Sequence, residues 1–309
     1  MLHPKNPFSR DYSGMAQLEQ RTLGRTGMTP RSLGLGCASL QTEEDAVDAI
    51  HCAIDFGINF VDTAPYYGNS ERFVGVGLEG GWRDKVYLET KTGLYGNGVS
   101  DYTASRTRSS VENSLRLLKT DYFDAVLIHE PPEFEAAFAP GCALDELIVM
   151  KDEGLLKHIG VGLRSHDHHR RAIETGHVDI ILTYLDYTLV NQSVASTTLP
   201  LAKENDIGII LASILGMGQL TGLRPSVEVG EGRQEGGGVL ALAMWEWCRD
   251  REVNIRHLAM QFGLAAPVDG IVMTGPANRQ QLEEAFEAAT VSIDPQIWKD
   301  FEAEFGVRA

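Results

Sequence analysis

Three short apolar segments follow one another in the first half of the chain: INFVD (58–62), KVYLETK (85–91) and FDAVLIH (123–129). Each has the length and the composition of a strand that is buried on both faces, and each ends on an ionisable side chain. In a parallel α/β barrel, the C-terminal ends of successive strands converge on one pocket. These segments therefore predict both a barrel and the place of its functional site.

The same alternation of apolar run, short loop and amphipathic helix continues on both sides of these segments. Eight such units favour a closed (β/α)8 TIM barrel, with an open doubly wound sheet as the alternative. We find neither GxGxxG at the start of a helix after the first strand nor GxxxxGK[ST]. The strands are predicted near 33–36, 58–62, 86–90, 124–129, 158–162, 179–183, 208–212 and 270–273. The helices are predicted near 43–56, 70–79, 104–119, 143–154, 166–175, 195–205, 239–252 and 278–289.

Four further segments lie outside this repeat. Residues 1–18 are interpreted as a polar N-terminal tail, and residues 19–309 as a single barrel domain. RTLGRTGMTPRSLGLG (21–36) predicts a short hairpin that leads into the first strand, and DPQIWKDFEAEF (294–305) predicts an extra C-terminal helix. The glycine-rich segment RPSVEVGEGRQEGGG (224–238) is either a lid over a bound cofactor or a passive connector, and we favour the lid.

Composition narrows the classes of partner. The chain has 309 residues and a formal net charge of −16, so phosphate backbones and anionic membrane surfaces are disfavoured as partners. We expect no nucleic-acid partner and no membrane association. The four cysteines form no CxxC pair, which favours a reducing, cytoplasmic location. HDHHRR (166–171) has no matching cluster elsewhere and is interpreted as a solvated helix start, so we expect no metal site.

The predicted pocket brings together Asp62, Tyr67, Lys91 and His129. The ordinary pKa of tyrosine is near 10, and we expect the ammonium of Lys91 to lower the pKa of Tyr67. Asp62 would hold that ammonium in place, and His129 would donate a hydrogen bond to a substrate oxygen. Taken singly, Asp62 could cap a turn, Tyr67 and Lys91 could be surface side chains, and His129 could be a core histidine. Their occurrence together at three successive strand ends favours an acid–base enzyme.

Four blocks of the sequence, in order, resemble the aldo-keto reductases. FVDTAPYYGNSERFVGVGL (60–78) resembles the Asp-Thr-Ala-x-x-Tyr-Gly block of that family, and VYLETK (86–91) resembles its lysine strand. The segment 106–131 resembles the helix and strand that lead to its histidine, and GLLKHIGVG (154–162) resembles its GKIRxIGVS segment. The resemblance extends from about residue 20 to residue 290.

This resemblance implies a barrel that binds a nicotinamide cofactor, NAD(P)(H), without a Rossmann fold. It implies that Tyr67 is the general acid and base, that Lys91 and Asp62 tune it, and that His129 orients the substrate. Tyr66, Tyr95 and Glu130 are our candidates for substrate contact. The candidate cofactor residues are Gly36, Cys37, Ala38, Asp62, Gly162, Tyr184, Ser213, Leu215, Gly218, Gly275, Ala277, Asn278, Arg279, Gln281 and Glu284.

Within the family, ILASILGMGQLTG (210–222) is similar to the L-galactose and D-threo-aldose (L-fucose) dehydrogenases. This similarity implies oxidation of an aldose at C1 to the lactone, or reduction of small aldehydes. The sequence departs from the family where Gly162-Leu163 replaces Ser-Asn, Tyr184 replaces Gln and Ile214 replaces Pro. Gln281 stands where NADP-selective relatives often have Arg, so the choice between NAD and NADP stays open, and NAD is compatible with the sequence.

The sequence leaves two alternatives to an active oxidoreductase open. One is a cofactor-binding regulatory subunit of the same fold, and the other is a lyase or isomerase barrel without a redox cofactor. A small-molecule carbonyl or sugar is the expected substrate. The sequence does not indicate an oligomeric state.

Overall fold

The computed structural model describes residues 17–228 and 237–308. Most of the predicted tail (1–18) and the centre of the glycine-rich segment (229–236) therefore lie outside the described residues. Gln20 pairs with Arg31 in an antiparallel bridge, and Leu23 N donates to Met28 O at 3.1 Å. This is the predicted hairpin, with a short 3₁₀ turn, Gly24–Thr26, at its tip.

Eight strands form one parallel barrel, in which each strand pairs with the next and the last strand pairs with the first. The predicted (β/α)8 architecture is thereby confirmed. The strands are Leu33–Gly36 (β1), Phe60–Asp62 (β2), Tyr87–Thr92 (β3), Phe123–His129 (β4), Leu156–Gly162 (β5), Ile180–Tyr184 (β6), Gly208–Ala212 (β7) and Gly270–Thr274 (β8).

Helices surround the barrel, and several of them begin at a residue whose side chain caps the helix. The first helix, for example, is capped by Thr42, whose hydroxyl accepts from the Asp45 amide, and its first turn is acidic. The helices are Glu43–Asp55 (α1), Ser70–Gly77 (α2), Ala104–Leu118 (α3), Phe134–Phe138 (α4), Ala143–Asp152 (α5), His166–Glu174 (α6), Thr198–Glu204 (α7), Gly237–Arg249 (α8), Ile255–Leu264 (α9), Arg279–Thr290 (α10) and Pro295–Phe305 (α11).

The hairpin closes the N-terminal end of the barrel. Leu23 and Met28 are buried in the same apolar cluster as interior side chains of the strands, such as Phe60 and Leu127. The tip approaches β7 so closely that a Cβ added at Gly24 would lie 2.1 Å from the Gly208 nitrogen. Because this end is filled with apolar side chains, the opposite end is the one available for a pocket.

The structure contains two helices that the sequence analysis did not predict. One is the short α4 and the other is α9, which is largely buried through Ile255, Leu258, Ala259, Met260, Phe262 and Gly263. A segment that is apolar on most of its circumference lacks the polar stripe by which an amphipathic helix is identified. The extra C-terminal helix is present as α11.

Candidate active site

A buried ion pair lies at the C-terminal ends of β2 and β3. Asp62 is the last residue of β2, and its carboxylate binds the ammonium of Lys91, which is 1 % exposed. The same ammonium donates to the Thr63 carbonyl at 3.1 Å. Burial disfavours the charged amine, but the charges of Asp62, Tyr67 and Glu89 and the hydrogen bond to Asp62 together outweigh that effect and raise the pKa of Lys91. Lys91 is therefore a fixed positive charge in the barrel mouth.

Tyr67 lies directly over this charge, with its ring centroid 4.9 Å from the Lys91 ammonium. The loop after β2 positions it, and its amide donates to the Ala64 carbonyl at 3.0 Å. We expected the Lys91 ammonium to lower the pKa of Tyr67. This expectation is wrong, because the net shift of the pKa is upward. Burial of the phenol is the larger effect and raises the pKa, although Lys91 opposes it. Tyr67 is thus a protonated donor at neutral pH.

His129 completes the predicted set of four. Its ring packs edge-on against Tyr67, with centroids 5.8 Å apart and an interplanar angle of 83°. Burial, assisted by the charge of Lys91, lowers the pKa of His129 to about 3, so the imidazole is neutral at physiological pH. The Tyr102 hydroxyl donates to the His129 carbonyl at 2.7 Å and helps to hold the end of β4. A neutral imidazole beside a phenol can orient an oxygen atom without adding charge.

A second polar group lies at the rim of the mouth, formed by Glu130, Arg164 and Tyr184. The carboxyl of Glu130 is hydrogen-bonded to the Tyr184 hydroxyl, and the Arg164 guanidinium lies 5.5 Å from the Tyr184 ring centroid. Burial raises the pKa of Glu130, while the Tyr184 hydrogen bond and the charge of Arg164 work in the opposite direction. Tyr184 therefore lies against two charged side chains.

Backbone strain marks the same end of the barrel. The residues that directly follow β4, β6 and β7 are Glu130, Leu185 and Ser213. Their φ angles are 47°, 63° and 53°. Residues other than glycine rarely occupy this left-handed region, and such strain concentrates at functional sites. The positions coincide with the predicted contact residues Glu130 and Ser213.

The three predicted substrate residues differ in their surroundings. Tyr66 is 44 % exposed and packs edge-on against His129 at 5.9 Å, so it lines the open side of the site. Glu130 belongs to the rim group. Tyr95 is buried, and its hydroxyl lies 3.2 Å from the Gly93 amide and 3.2 Å from the Thr92 hydroxyl, which ties it into its own loop. Tyr95 thus supports the loop after β3.

The predicted cofactor residues all lie at the C-terminal ends of strands or in the segments that follow them. They are the last residues of β1, β2, β5 and β6 and residues in the loops after β1, β7 and β8 and in the first half of α10. Two observations fit a dinucleotide here. The buried Gln219 amide nitrogen has no partner among the described residues and lines a cavity between the β6 and β7 loops. Gly275 faces nearly open space, with Gly36 O at 3.9 Å as the nearest atom to an added Cβ.

The start of α10 uses its polar residues for capping and ion pairing. Asn278 accepts from the Gln281 amide at 3.0 Å, and the Gln281 side chain accepts from the Ala277 amide at 2.9 Å. Arg279 binds Asp48 at 3.1 Å and Glu283 at 2.9 Å. Arg279, predicted to meet a phosphate, is therefore held by two carboxylates.

Glu284, also among the predicted cofactor residues, is itself paired with Arg256 at 2.7 Å. The negative charge of the Glu284 carboxylate adds to the acidic character of this part of α10. The two arginines of this region, Arg256 and Arg279, are thus both paired with carboxylates, and Gln281 is neutral.

Two residues with a clear place in the site were missed by the sequence analysis. Glu89 is fully buried beside Asp62, and Gln219 lines the cavity described above. In the sequence, a Glu in a strand resembles a solvent-facing residue, and a Gln in a glycine-rich turn has no distinctive spacing. The alternation of KVYLETK was the one available signal, because it places Glu89 and Lys91 on the same face.

The chain is thus a (β/α)8 barrel with a cluster of four ionisable side chains at the C-terminal ends of its strands. The family model described as "Aldo/keto reductase family" matches residues 32–303. The chain is 32% identical to an L-galactose dehydrogenase from Arabidopsis thaliana over 94% of this chain and 95% of that protein. It is 28% identical to a D-threo-aldose 1-dehydrogenase from a Pseudomonas species over 89% and 94% of the two chains. The chain therefore belongs to the aldo/keto reductase family and is an oxidoreductase of that family.

The comparison with solved structures shows the same fold. A glycerol dehydrogenase structure from Gluconobacter oxydans superposes with a TM-score of 0.75 at 22% identity, covering 94% of this chain and 97% of that one. Among the described residues, no helix has the length and apolar character needed to cross a membrane. Among these same residues, no group of three or more His, Cys, Asp or Glu side chains is placed so that it could hold a metal ion.

Proposed function

We propose that this protein interconverts a carbonyl and an alcohol with a nicotinamide cofactor, and that its substrate is an aldose oxidised at C1 or a small aldehyde that is reduced. The arrangement of Tyr67 between the Lys91 ammonium and the His129 imidazole carries the proposal. Tyr67 is the general acid and base, Lys91 and Asp62 tune it, and His129 orients the substrate oxygen.

The bound nicotinamide would supply or accept the hydride. In reduction, the Tyr67 hydroxyl donates its proton to the carbonyl oxygen, and the nearby ammonium of Lys91 stabilises the phenolate that remains. The neutral His129 donates its N–H to the same oxygen. In oxidation these proton movements are reversed, and Tyr67 must first lose its proton. Because the pKa of Tyr67 is raised, this loss requires alkaline pH.

The rim group supports an aldose as the substrate. Glu130, Tyr184 and Arg164 place a carboxyl, a hydroxyl and a guanidinium next to the site, and such groups bind the vicinal hydroxyls of a sugar. A plain aliphatic aldehyde offers no hydroxyls to these groups. The names of two relatives that match most of the chain, an L-galactose dehydrogenase and a D-threo-aldose 1-dehydrogenase, agree with this choice.

The start of α10 supports NAD over NADP. A 2′-phosphate in this region would meet Glu283 and Glu284, while Arg279 is bound by two carboxylates and Gln281 caps the helix. A relative that is 32% identical over 65% of this chain is named an NADH-specific methylglyoxal reductase, from Escherichia coli. Fluorescence titration is expected to give a lower Kd for NADH than for NADPH, and Gln281→Arg is expected to narrow the difference. Tighter binding of NADPH by the unaltered protein would refute the preference.

A screen of aldoses and aliphatic aldehydes against both cofactors tests the main proposal. We expect turnover of at least one aldose, and Tyr67→Phe is expected to lose about 10²- to 10⁴-fold in kcat while keeping its cofactor Kd. Saturable cofactor binding without turnover on the whole panel would instead identify a regulatory subunit. If neither cofactor binds, a barrel without redox chemistry is the better assignment. Unchanged turnover in Tyr67→Phe would exclude Tyr67 as the proton donor.

A further inference from the structure

Glu89 is a buried carboxyl in contact with the catalytic cluster. It lies in β3 and pairs in register with Asp62 of β2, and it precedes Lys91 by two residues, so the three side chains share the interior face of the barrel. Glu89 is 0 % exposed and Lys91 is 1 % exposed. A carboxyl group is rarely enclosed in this way without a partner.

The surroundings of Glu89 offer it no hydrogen-bond donor. Neither of its side-chain oxygens has a partner within the part of the chain that the structure describes. Its polar neighbour is the carboxylate of Asp62, and two carboxyl groups can form a hydrogen bond only when one of them carries a proton. Burial, reinforced by the charge of Asp62, raises the pKa of Glu89 well above its ordinary value. The ammonium of Lys91 opposes this but does not reverse it.

The ionisable groups around Glu89 are few. β2 contributes Asp62, β3 contributes Lys91, and the loop after β2 contributes Tyr67. On the other side, β4 presents Ala125 in register with Glu89, and this residue cannot titrate. A proton on Glu89 therefore has one exit through polar groups, which leads through Asp62 and Lys91 to Tyr67.

We propose that Glu89 is a proton-holding residue that acts through Asp62 and Lys91 to restore the proton of Tyr67 after each reduction. This proposal rests on the proposed function of Tyr67 as the general acid. Glu89 touches neither substrate nor cofactor, so it is a positioning residue for the proton and not a catalytic residue.

The proton movements balance. In reduction, the Tyr67 O–H bond breaks and the proton goes to the substrate oxygen, while the hydride arrives from the reduced nicotinamide. A proton then moves from the Lys91 ammonium to the phenolate, and the Glu89 proton passes by way of Asp62 to the Lys91 amine. Glu89 is left as a carboxylate. After the product has left, a proton from water at the barrel mouth enters through Tyr67 and passes by way of Lys91 and Asp62 back to Glu89. Oxidation runs the same transfers backwards and returns a proton to Glu89.

The test compares Glu89→Gln with Glu71→Gln. Both glutamates are buried and burial raises the pKa of both, but Glu71 lies in α2 and accepts from the Thr90 hydroxyl at 2.7 Å. Infrared spectroscopy at neutral pH is expected to show the carbonyl stretch of protonated carboxyl groups in the wild type. Glu89→Gln should remove one component of that band, and Glu71→Gln should leave that component in place.

The kinetic readout is the dependence of kcat and KM on pH. We expect Glu89→Gln to lower kcat for reduction by about tenfold, below the effect of a group in direct contact with substrate, with KM within about twofold. We also expect it to remove one ionisation from the alkaline side of the kcat profile, whereas Glu71→Gln should keep the wild-type profile. A purely structural role would change stability without changing the shape of the profile.

Two results would overturn the proposal. One is a protonated-carboxyl band that Glu89→Gln leaves unaltered, which would show that Glu89 holds no proton whether or not the enzyme turns over. The other is an active wild type whose pH profile and kcat are reproduced by Glu89→Gln. A wild type that binds cofactor and turns over nothing would reject the proposed function separately, because the infrared result does not depend on activity. If Glu89→Gln does not fold, carboxyl-labelled glutamate in the wild type and in Glu71→Gln allows the same protonation to be measured by NMR.

Discussion

At the scale of the residue, the site is governed by the competition between burial and charge. The Lys91 ammonium stays charged because negative groups, Asp62 above all, lie against it. Tyr67 stays neutral because burial outweighs the charge of Lys91, and His129 stays neutral because burial and that charge act together. A sequence shows which charges can approach one another, but it does not show how much water is excluded around them. For this reason the four residues could be predicted, and the direction of the Tyr67 pKa could not.

Replacing Lys91 by Met tests this balance. The change leaves the buried Asp62 carboxylate without its cation, and we expect a loss of about 3–5 kcal/mol in the free energy of unfolding, measured with denaturant. Lys91→Met/Asp62→Asn should recover part of that loss. The pH at which oxidation becomes fast should rise, since the Tyr67 phenolate loses a nearby positive charge. A profile at the wild-type pH would argue against any coupling between Lys91 and Tyr67.

Replacing Glu130 by Gln tests the rim group. If the Glu130 carboxyl binds a sugar hydroxyl, its loss should lower kcat/KM for aldoses by about 10- to 100-fold, the effect of a hydrogen bond to a charged group. Values for a simple aliphatic aldehyde should stay within about threefold. Glu133→Gln is the matched control, because Glu133 is exposed in the same loop. Equal losses for both substrate classes would remove Glu130 from substrate selection.

At the scale of the element, the clearest link is the one that ties the hairpin to the floor of the barrel. Asp179, just before β6, binds Arg25 of the hairpin at 2.8 Å, Lys151 of α5 at 3.2 Å and His158 of β5 at 3.2 Å. Burial works against the ionised carboxyl, but hydrogen bonds from His158 and Arg25, with the charge of Lys151, lower the pKa of Asp179. One carboxylate thus joins four elements at the end remote from the site.

Asp179→Asn is expected to reduce the free energy of unfolding by about 2–3 kcal/mol, less than for a fully enclosed pair because Arg25 and Lys151 also reach solvent. The loss should be largest near neutral pH. It should shrink as the pH falls below about 4, because the unfolded chain then takes up a proton that the folded carboxylate, whose pKa is lowered, does not. Asp206→Asn, at an exposed position beside the hairpin, should change stability by less than about 0.5 kcal/mol. Chemical denaturation of the wild type and of both variants at several pH values provides the measurement. Equal stabilities of Asp179→Asn and the wild type would show that the Asp179 ion pairs are dispensable.

The helices and strands also show how much secondary structure could be predicted from the sequence. All eight strands occur within two residues of their predicted bounds, because each combines an apolar run with flanking turn residues. The start of the helix predicted at 195–205 was less accurate, since a 3₁₀ turn, Ser193–Ser196, precedes α7. Helix α9 was missed because its environment is supplied by other helices and not by its own polar pattern. Tertiary packing decides such segments.

At the scale of the whole molecule, buried neutral histidines are expected to limit stability in acid. His169 is 0 % exposed and lies between the Thr198 hydroxyl at 2.9 Å and the Leu163 carbonyl at 3.0 Å. Burial lowers the pKa of His169 to about 4. Because the unfolded chain takes up a proton near pH 6.5 and the folded chain only near pH 4, stability falls as the pH drops through that interval.

The variant His169→Gln should remove this sensitivity. Relative to its own stability at pH 7, we expect it to lose up to about 3 kcal/mol less than the wild type between pH 6.5 and pH 4. His177→Gln, at an exposed position, should follow the wild-type curve. Urea denaturation at half-unit pH steps provides the measurement. Parallel curves for His169→Gln and the wild type would place the acid sensitivity elsewhere.

The candidate acid–base residues and many of the candidate cofactor residues come from different parts of the chain. Residues 62–129 supply the four proposed acid–base groups, whereas the candidate cofactor contacts from Ser213 onward follow the last two strands or lie in α10. These later contacts can therefore vary with little disturbance of the proposed acid–base groups. Recombination of the second half with that of a relative should exchange nucleotide preference while the proton-transfer machinery is inherited intact.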